Sequence, residues 1–198
     1  MKTCSNFLLL AFSSILLVHC QPKAAAPEPE TTEAAEPKMS HEEHVARGKY
    51  LVEIMGCHDC HSPKIMTDQG PVPDPNRLLS GYPAENPLPP VKNPKDVAGY
   101  ALMTMDLTAA IGPWGTTFAA NLTPDETGLG SWTLEQFDLA LRKGKSKGME
   151  GNRSLLPPMP WANYRDLKNE DLAAIWAYLQ SIPPVKNVPP PPVPPMGM

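Results

Sequence analysis

Cysteine is scarce in this chain: there are four in 198 residues, at positions 4, 20, 57 and 60. Basic side chains are outnumbered, with 17 Lys and Arg against 21 Asp and Glu, for a formal net charge of -4. An acidic balance of this kind argues against nucleic acid as a partner. No internal repeat and no obvious strand pair punctuates the sequence. A chain of this length, 41% hydrophobic and carrying 26 prolines, has room for one domain with a moderate core and long irregular connections, not for a second full domain.

The two ends differ from the middle. "MKTCSNFLLLAFSSILLVHCQ" carries one lysine, an apolar run over 7–18 and then Cys20. That layout is an export signal, and the run is too short for a membrane span. It resembles a bacterial lipoprotein signal, in which the cysteine is lipidated and becomes the first mature residue, although His19 stands where that pattern prefers a small side chain. An ordinary signal cut nearby is the alternative. The sequence thus predicts a signal over 1–19, a lipid anchor at Cys20 and a solvated tether over 20–39, because "QPKAAAPEPETTEAAEPKM" has too little apolar surface to offset its ordering entropy. At the other end, "VKNVPPPPVPPMGM" cannot continue a helix and should run as polyproline II over 186–198, either as a stiff surface tail or as a partner-binding segment.

Three helices are predicted in the domain between, 40–185. Ser40 and Glu43 form a capping box ahead of "HEEHVARGKYLVEIM", whose apolar face would be Val45, Tyr50, Leu51 and Ile54. Thr133 and Gln136 form a second box before Leu134, Phe137, Ala140 and Leu141, and Gly144 closes that helix. The third has Asn169 as cap, Leu172, Ile175, Trp176 and Leu179 as its stripe, and Pro183 as its stop. Between 63 and 132 the chain is studded with proline and shows neither strand nor helix phase, so an all-α domain is the economical expectation. A loop this long in a compact domain is functional or wraps something.

With Cys4 in the signal and Cys20 at the anchor, only Cys57 and Cys60 belong to the domain, and no disulfide framework is available. They lie in "CHDCH", the C-x-x-C-H pattern that attaches haem through two thioethers while the histidine, His61, binds iron. Cysteines three apart on a turn can reach two positions on one porphyrin edge. A zinc site would need two further ligands, and no second cysteine pair or histidine cluster exists; His41 and His44 sit at a helix start. A thioredoxin-like thiol pair would need alternating strands and helices around it. His58, at a variable position of the pattern, should face solvent or make a hydrogen bond.

A six-coordinate haem takes a second ligand from the opposite face, and His41, His44 and ten methionines compete for the role. Met159, in "LLPPMPWANY", stands out because flanking prolines restrict the loop, as a weak thioether ligand requires. Leu155 and Leu156 would shield it from water. Met66, Met103, Met105 and Met149 have no such setting.

These features together resemble the class I cytochromes c: a helix leading into Cys57 to His61, a proline-flanked methionine much later and a final helix with an aromatic stripe. The stretches "ANLTPDETGLGSWTLEQFDLALRKG" and "LLPPMPWANYRDLKNEDLAAIWAYLQSIPPV" are similar, more narrowly, to cytochrome c-553 proteins and to cytochrome subunits of dehydrogenases. The resemblance implies a fold of about three main helices around one covalent haem c, and this chain departs from it by a long irregular insertion over 63–118. It implies that the first and last helices cross at a glycine and an aromatic, which Gly48 and Trp176 or Tyr178 match. It also implies that Asn121 and Thr123, beside the haem, hydrogen-bond to its edge or propionates, as Trp161 could; capping or core packing is the other reading of each. Dihaem relatives carry a second C-x-x-C-H, whereas this chain has one.

The function expected from the sequence is therefore one-electron transfer by an exported, periplasmic or membrane-tethered bacterial lipoprotein, not an enzyme in itself, with His61 and Met159 as axial ligands and a redox donor and acceptor as partners. A five-coordinate haem enzyme or a sensor of peroxide or gas is the alternative, and a non-redox structural module is a third.

Overall fold

The computed structural model describes residues 39–91 and 99–195. The predicted signal, Cys20 and almost all of the predicted tether lie outside the described residues. Helix α1, His41–Ile54, begins at the Ser40 capping box: Ser40 Oγ accepts from the Glu43 amide and Glu43 returns the bond to the Ser40 amide at 2.7 Å. Helix α2, Cys57–His61, follows almost at once. Helix α3, Leu134–Leu141, starts at the Thr133 and Gln136 box, and α4 spans Asn169–Ser181. Three of these four helices are the ones the sequence predicts.

The all-α expectation needs correction, because the region between α2 and α3 contains two small antiparallel sheets. Strands β1, Lys64–Thr67, and β2, Gly70–Pro73, form a hairpin, while β3, Leu102–Met103, β4, Ala109–Gly112, and β5, Gly115–Phe118, form a three-stranded sheet in that order. Each strand has at most four residues, too few for a period of two to show. Pro71 and Pro73 are tolerated because a strand in a two-stranded ribbon has a free edge for the missing donor.

The core is built from Val52 of α1, Leu79, Leu129, Phe137 and Leu141 of α3, and Leu172, Ile175 and Leu179 of α4. The stripes of α3 and α4 match the expected ones, with Trp176 half-buried against Phe137 at 5.4 Å between ring centroids. The face of α1 differs. Gly48 and Val52 are its buried residues, whereas Tyr50 and Ile54 are about 60% exposed. Gly48 and Val52 stand about one turn apart on the buried row, and Tyr50 and Ile54, about 200° and 240° around the helix from Gly48, fall on the opposite side. Nor does Asn169 cap α4; Lys168 occupies that position, and Asn169 Oδ1 instead accepts from Arg142, which also donates to Leu167 O and so ties the end of α3 to the start of α4.

Beyond α4 the chain stays tied to the domain. The Asn187 side chain is buried, donating to Ser80 O and Tyr82 O and accepting from the Ala84 amide. Val193 exchanges backbone hydrogen bonds with Thr116 of β5. No helix among the described residues is long and apolar enough to cross a membrane.

Candidate functional site

Helix α1 delivers the chain into α2 through Gly56, whose φ of 69° supplies the left-handed turn between them. On α2, Cys57 and Cys60 are half-buried and unpaired. Loss of solvent pushes the Cys57 thiol up to about 11, and burial raises Cys60 as well, with the neighbouring Asp59 carboxylate adding to the effect. Thiols held protonated in this way are poor nucleophiles, which is the reverse of what a thiol-exchange pair requires.

His61 is fixed by its ring and by its backbone. Nδ1 lies 2.8 Å from Ala120 O, and since a carbonyl can only accept, the proton sits on Nδ1 and Nε2 keeps its lone pair. Burial of the ring holds the imidazole neutral by lowering its pKa, partly opposed by the bond to Ala120. The Gly81 amide donates to His61 O at 2.8 Å. Gly81 has φ 78°, and a Cβ there would lie 2.6 Å from Ala120 O, the oxygen that holds the imidazole.

His58 is turned away from this role. Its Nδ1 is 2.8 Å from Ser62 Oγ, which in turn accepts from the Leu79 amide at 2.8 Å. Ser62 is fully buried, so it locks the residue after the motif onto the loop that carries Leu79.

Met159 is half-buried and, like Cys57 and Leu122, packs against the hydrophobic core. Its loop is held by Thr117 Oγ1 of β5, which donates to Pro157 O at 2.8 Å, and by the Leu155 amide on Gly144 O. Leu155 and Leu156 are half-buried beside it in sequence. By contrast Met66, Met103, Met105 and Met149 are 40 to 81% exposed. Among the described residues no group of three His, Cys, Asp or Glu could hold a metal ion.

Asn121 and Thr123 are buried, and their polar atoms are spent inside the protein. Asn121 donates to Val185 O, Asn187 O and Thr127 Oγ1 and accepts from the Thr123 amide and hydroxyl, so these two residues fasten the segment after α4. Trp161 packs over Gly144, with Arg165 5.9 Å from its ring centroid.

Four contributors escape the sequence reading: Ser62, the Ala120 carbonyl, Asn187 and Lys64. The Lys64 ammonium donates to His58 O at 3.1 Å, Asp59 O at 2.7 Å, Ser62 O at 2.6 Å and Asp106 O at 3.0 Å. A lysine placed just past a helix C-terminus is the signal that could have revealed it.

Two thiols held protonated on one short helix, followed by a neutral imidazole whose Nε2 keeps its lone pair, are the groups that a C-x-x-C-H motif offers to a covalently attached haem.

Comparison with known proteins points to one family. The family model described as cytochrome c matches residues 45–183. The fructose dehydrogenase cytochrome subunit of Gluconobacter japonicus is 29% identical over 147 residues, 73% of this chain and 22% of the relative. The gluconate 2-dehydrogenase cytochrome c subunit of Pantoea cypripedii is 29% identical over 143 residues, 71% of this chain and 24% of the relative. The cytochrome c subunit of the quinone alcohol dehydrogenase of Gluconobacter oxydans is 39% identical over 75 residues, 37% of this chain and 15% of the relative. The matched stretch thus spans less than a quarter of the length of each of these relatives.

Proposed function

The chain belongs to the cytochrome c family, and on that premise we propose that it is a one-electron carrier with a single haem c, bound through Cys57 and Cys60 and ligated by His61 Nε2 and Met159 Sδ. A haem so bound supplies a ferric/ferrous couple, and the histidine and methionine pair raises its potential by favouring the ferrous state. The observation that carries the proposal is the His61 geometry, because the bond from Nδ1 to Ala120 O presents the tautomer that iron ligation needs. The protein's part is to hold that imidazole at a fixed angle, to keep a weak thioether in place through the Pro157 and Thr117 contact, and to exclude water with Leu155 and Leu156. Little then has to move when the electron arrives or leaves. The fold proposed is that of the class I cytochromes c, with the 63–118 insertion bracing the motif.

The dehydrogenase cytochrome subunits among its relatives support a dehydrogenase as the electron donor and a second redox protein as the acceptor. Export through residues 1–19 and lipidation at Cys20 would place the carrier in the periplasm on a tether reaching to the domain, and tethering raises its effective concentration near membrane partners. The formal charge of -4 suits partners with basic docking surfaces.

An absorption spectrum of the oxidised protein tests the ligation. A low-spin spectrum with the weak far-red methionine-to-iron band, lost in Met159→Ala, is expected. A high-spin resting state would replace electron transfer with the five-coordinate enzyme or sensor reading.

A further inference from the structure

We propose that Lys64 is an electrostatic positioning residue for the haem site: its ammonium clamps the C-terminal turn of α2 to the insertion and biases the iron toward the ferrous state. The inference rests on the haem reading above and adds a residue to it.

The geometry is specific. Helix α2 has only five residues, so most of its carbonyls have no partner within the helix. Lys64 Nζ donates to Asp59 O, to His58 O, which also accepts from the Ser62 amide, and to Ser62 O just past the helix end. Its fourth acceptor, Asp106 O, comes from the loop between β3 and β4. A neutral amine would point a lone pair at one of these oxygens. Four carbonyls converging on a single nitrogen therefore call for the ammonium form, with its three N–H groups and no acceptor. The side chain is only partly exposed, so the charge acts through a medium less screening than bulk water.

Two consequences follow for a haem anchored on α2. The clamp fixes the turn that carries Cys60 and His61 against a loop more than 40 positions away in sequence. The ammonium also adds a positive charge beside the site while it offsets carbonyl dipoles whose negative ends point out of α2. Ferric iron carries one more positive charge than ferrous iron, so both effects disfavour the oxidised state. Replacing the ammonium by a neutral group reverses both in the same direction.

The test is a redox titration of wild-type, Lys64→Met and Lys64→Arg holoproteins. In Lys64→Met the ferrous-to-ferric ratio at a fixed ambient potential should fall about three- to tenfold, the upper figure being about 59 mV for a one-electron couple. Lys64→Arg, which keeps the charge, should stay within about twofold of wild type. A Lys64→Met ratio within about twofold of wild type, or an equal fall in both variants, would overturn the electrostatic role. A second measurement needs no variant: in amine acetylation of the native wild-type protein, read by mass spectrometry, Lys64 should react at least about tenfold more slowly than the exposed Lys49. Equal rates would overturn the four-carbonyl clamp. If the wild-type protein carries no haem, the haem reading fails, and the acetylation result still reports on the clamp.

Discussion

Gly48 of α1 meets the main chain of α4 at Ala174: a Cβ built on Gly48 would collide with Ala174 O and lie 2.8 Å from Tyr178 Cβ. The helix that leads into the thiol motif is thus registered on the last helix by backbone contact, and no side chain can be added there without parting them. Gly48→Ala should cost about 3 kcal/mol of stability, at the upper end for overpacking, because a backbone carbonyl cannot swing aside as a side-chain end can. Denaturant unfolding of the holoprotein measures it, and a midpoint equal to wild type would contradict the crossing.

Gly81→Ala should act on the site itself. At φ 78° an alanine is strained, and its Cβ would lie 2.5 Å from Ala119 O and 2.6 Å from Ala120 O. The chain must shift to relieve the clash, carrying with it the carbonyl that accepts from His61 Nδ1. The expected outcome is a change in the haem absorption bands together with lower stability. Lower stability with an unchanged spectrum would show that the Ala120 bond does not orient the ligand.

How much of this is legible in the sequence depends on the range of the interaction. The capping boxes at Ser40 and Thr133 are local and readable, as are the stripes of α3 and α4. The motif residues are readable because thiol and imidazole spacing is chemistry written in consecutive positions. That Gly48 and Val52 make the buried row of α1 is not, since Gly48 packs on Ala174, far along the chain. The roles of Ala120, Lys64 and Asn187 are hidden for the same reason: each is defined by backbone groups, which carry no side-chain signature. The sheets between α2 and α3 escape because strands of two to four residues, some of them containing proline or glycine, show no period.

Asn187→Ala should destabilise the domain by about 3 kcal/mol, because it leaves Ser80 O, Tyr82 O and the Ala84 amide without their partner in a buried setting. A chain ending at residue 185 should lose at least as much, since it also leaves the Asn121 amide without Asn187 O. Thermal unfolding of both variants checks this, and a truncated chain as stable as wild type would refute the fastening role.

The ion pair of Asp138 with Arg142 predicts a pH dependence. The hydrogen bond from Arg142 holds the Asp138 carboxyl below its ordinary value. A carboxyl depressed in the folded state adds stability above the unfolded pKa of about 3.9, and that contribution disappears as pH falls through the lower folded value. Asp138→Asn should therefore lower stability by about 1 kcal/mol near pH 7, a partly exposed pair being worth little more. The gap from wild type should close as pH falls below about 4. A gap that stays constant down to about pH 2 would show that the charge contributes nothing.

Covalent haem on Cys57 and Cys60 can be read directly. The exported protein, produced in a host competent for cytochrome maturation, should retain haem stain on a denaturing gel and show the mass of one attached haem. Replacing Cys57 and Cys60 together should abolish both signals. No stain in the wild-type protein, or an undiminished stain in the double variant, would rule out thioether attachment at these cysteines.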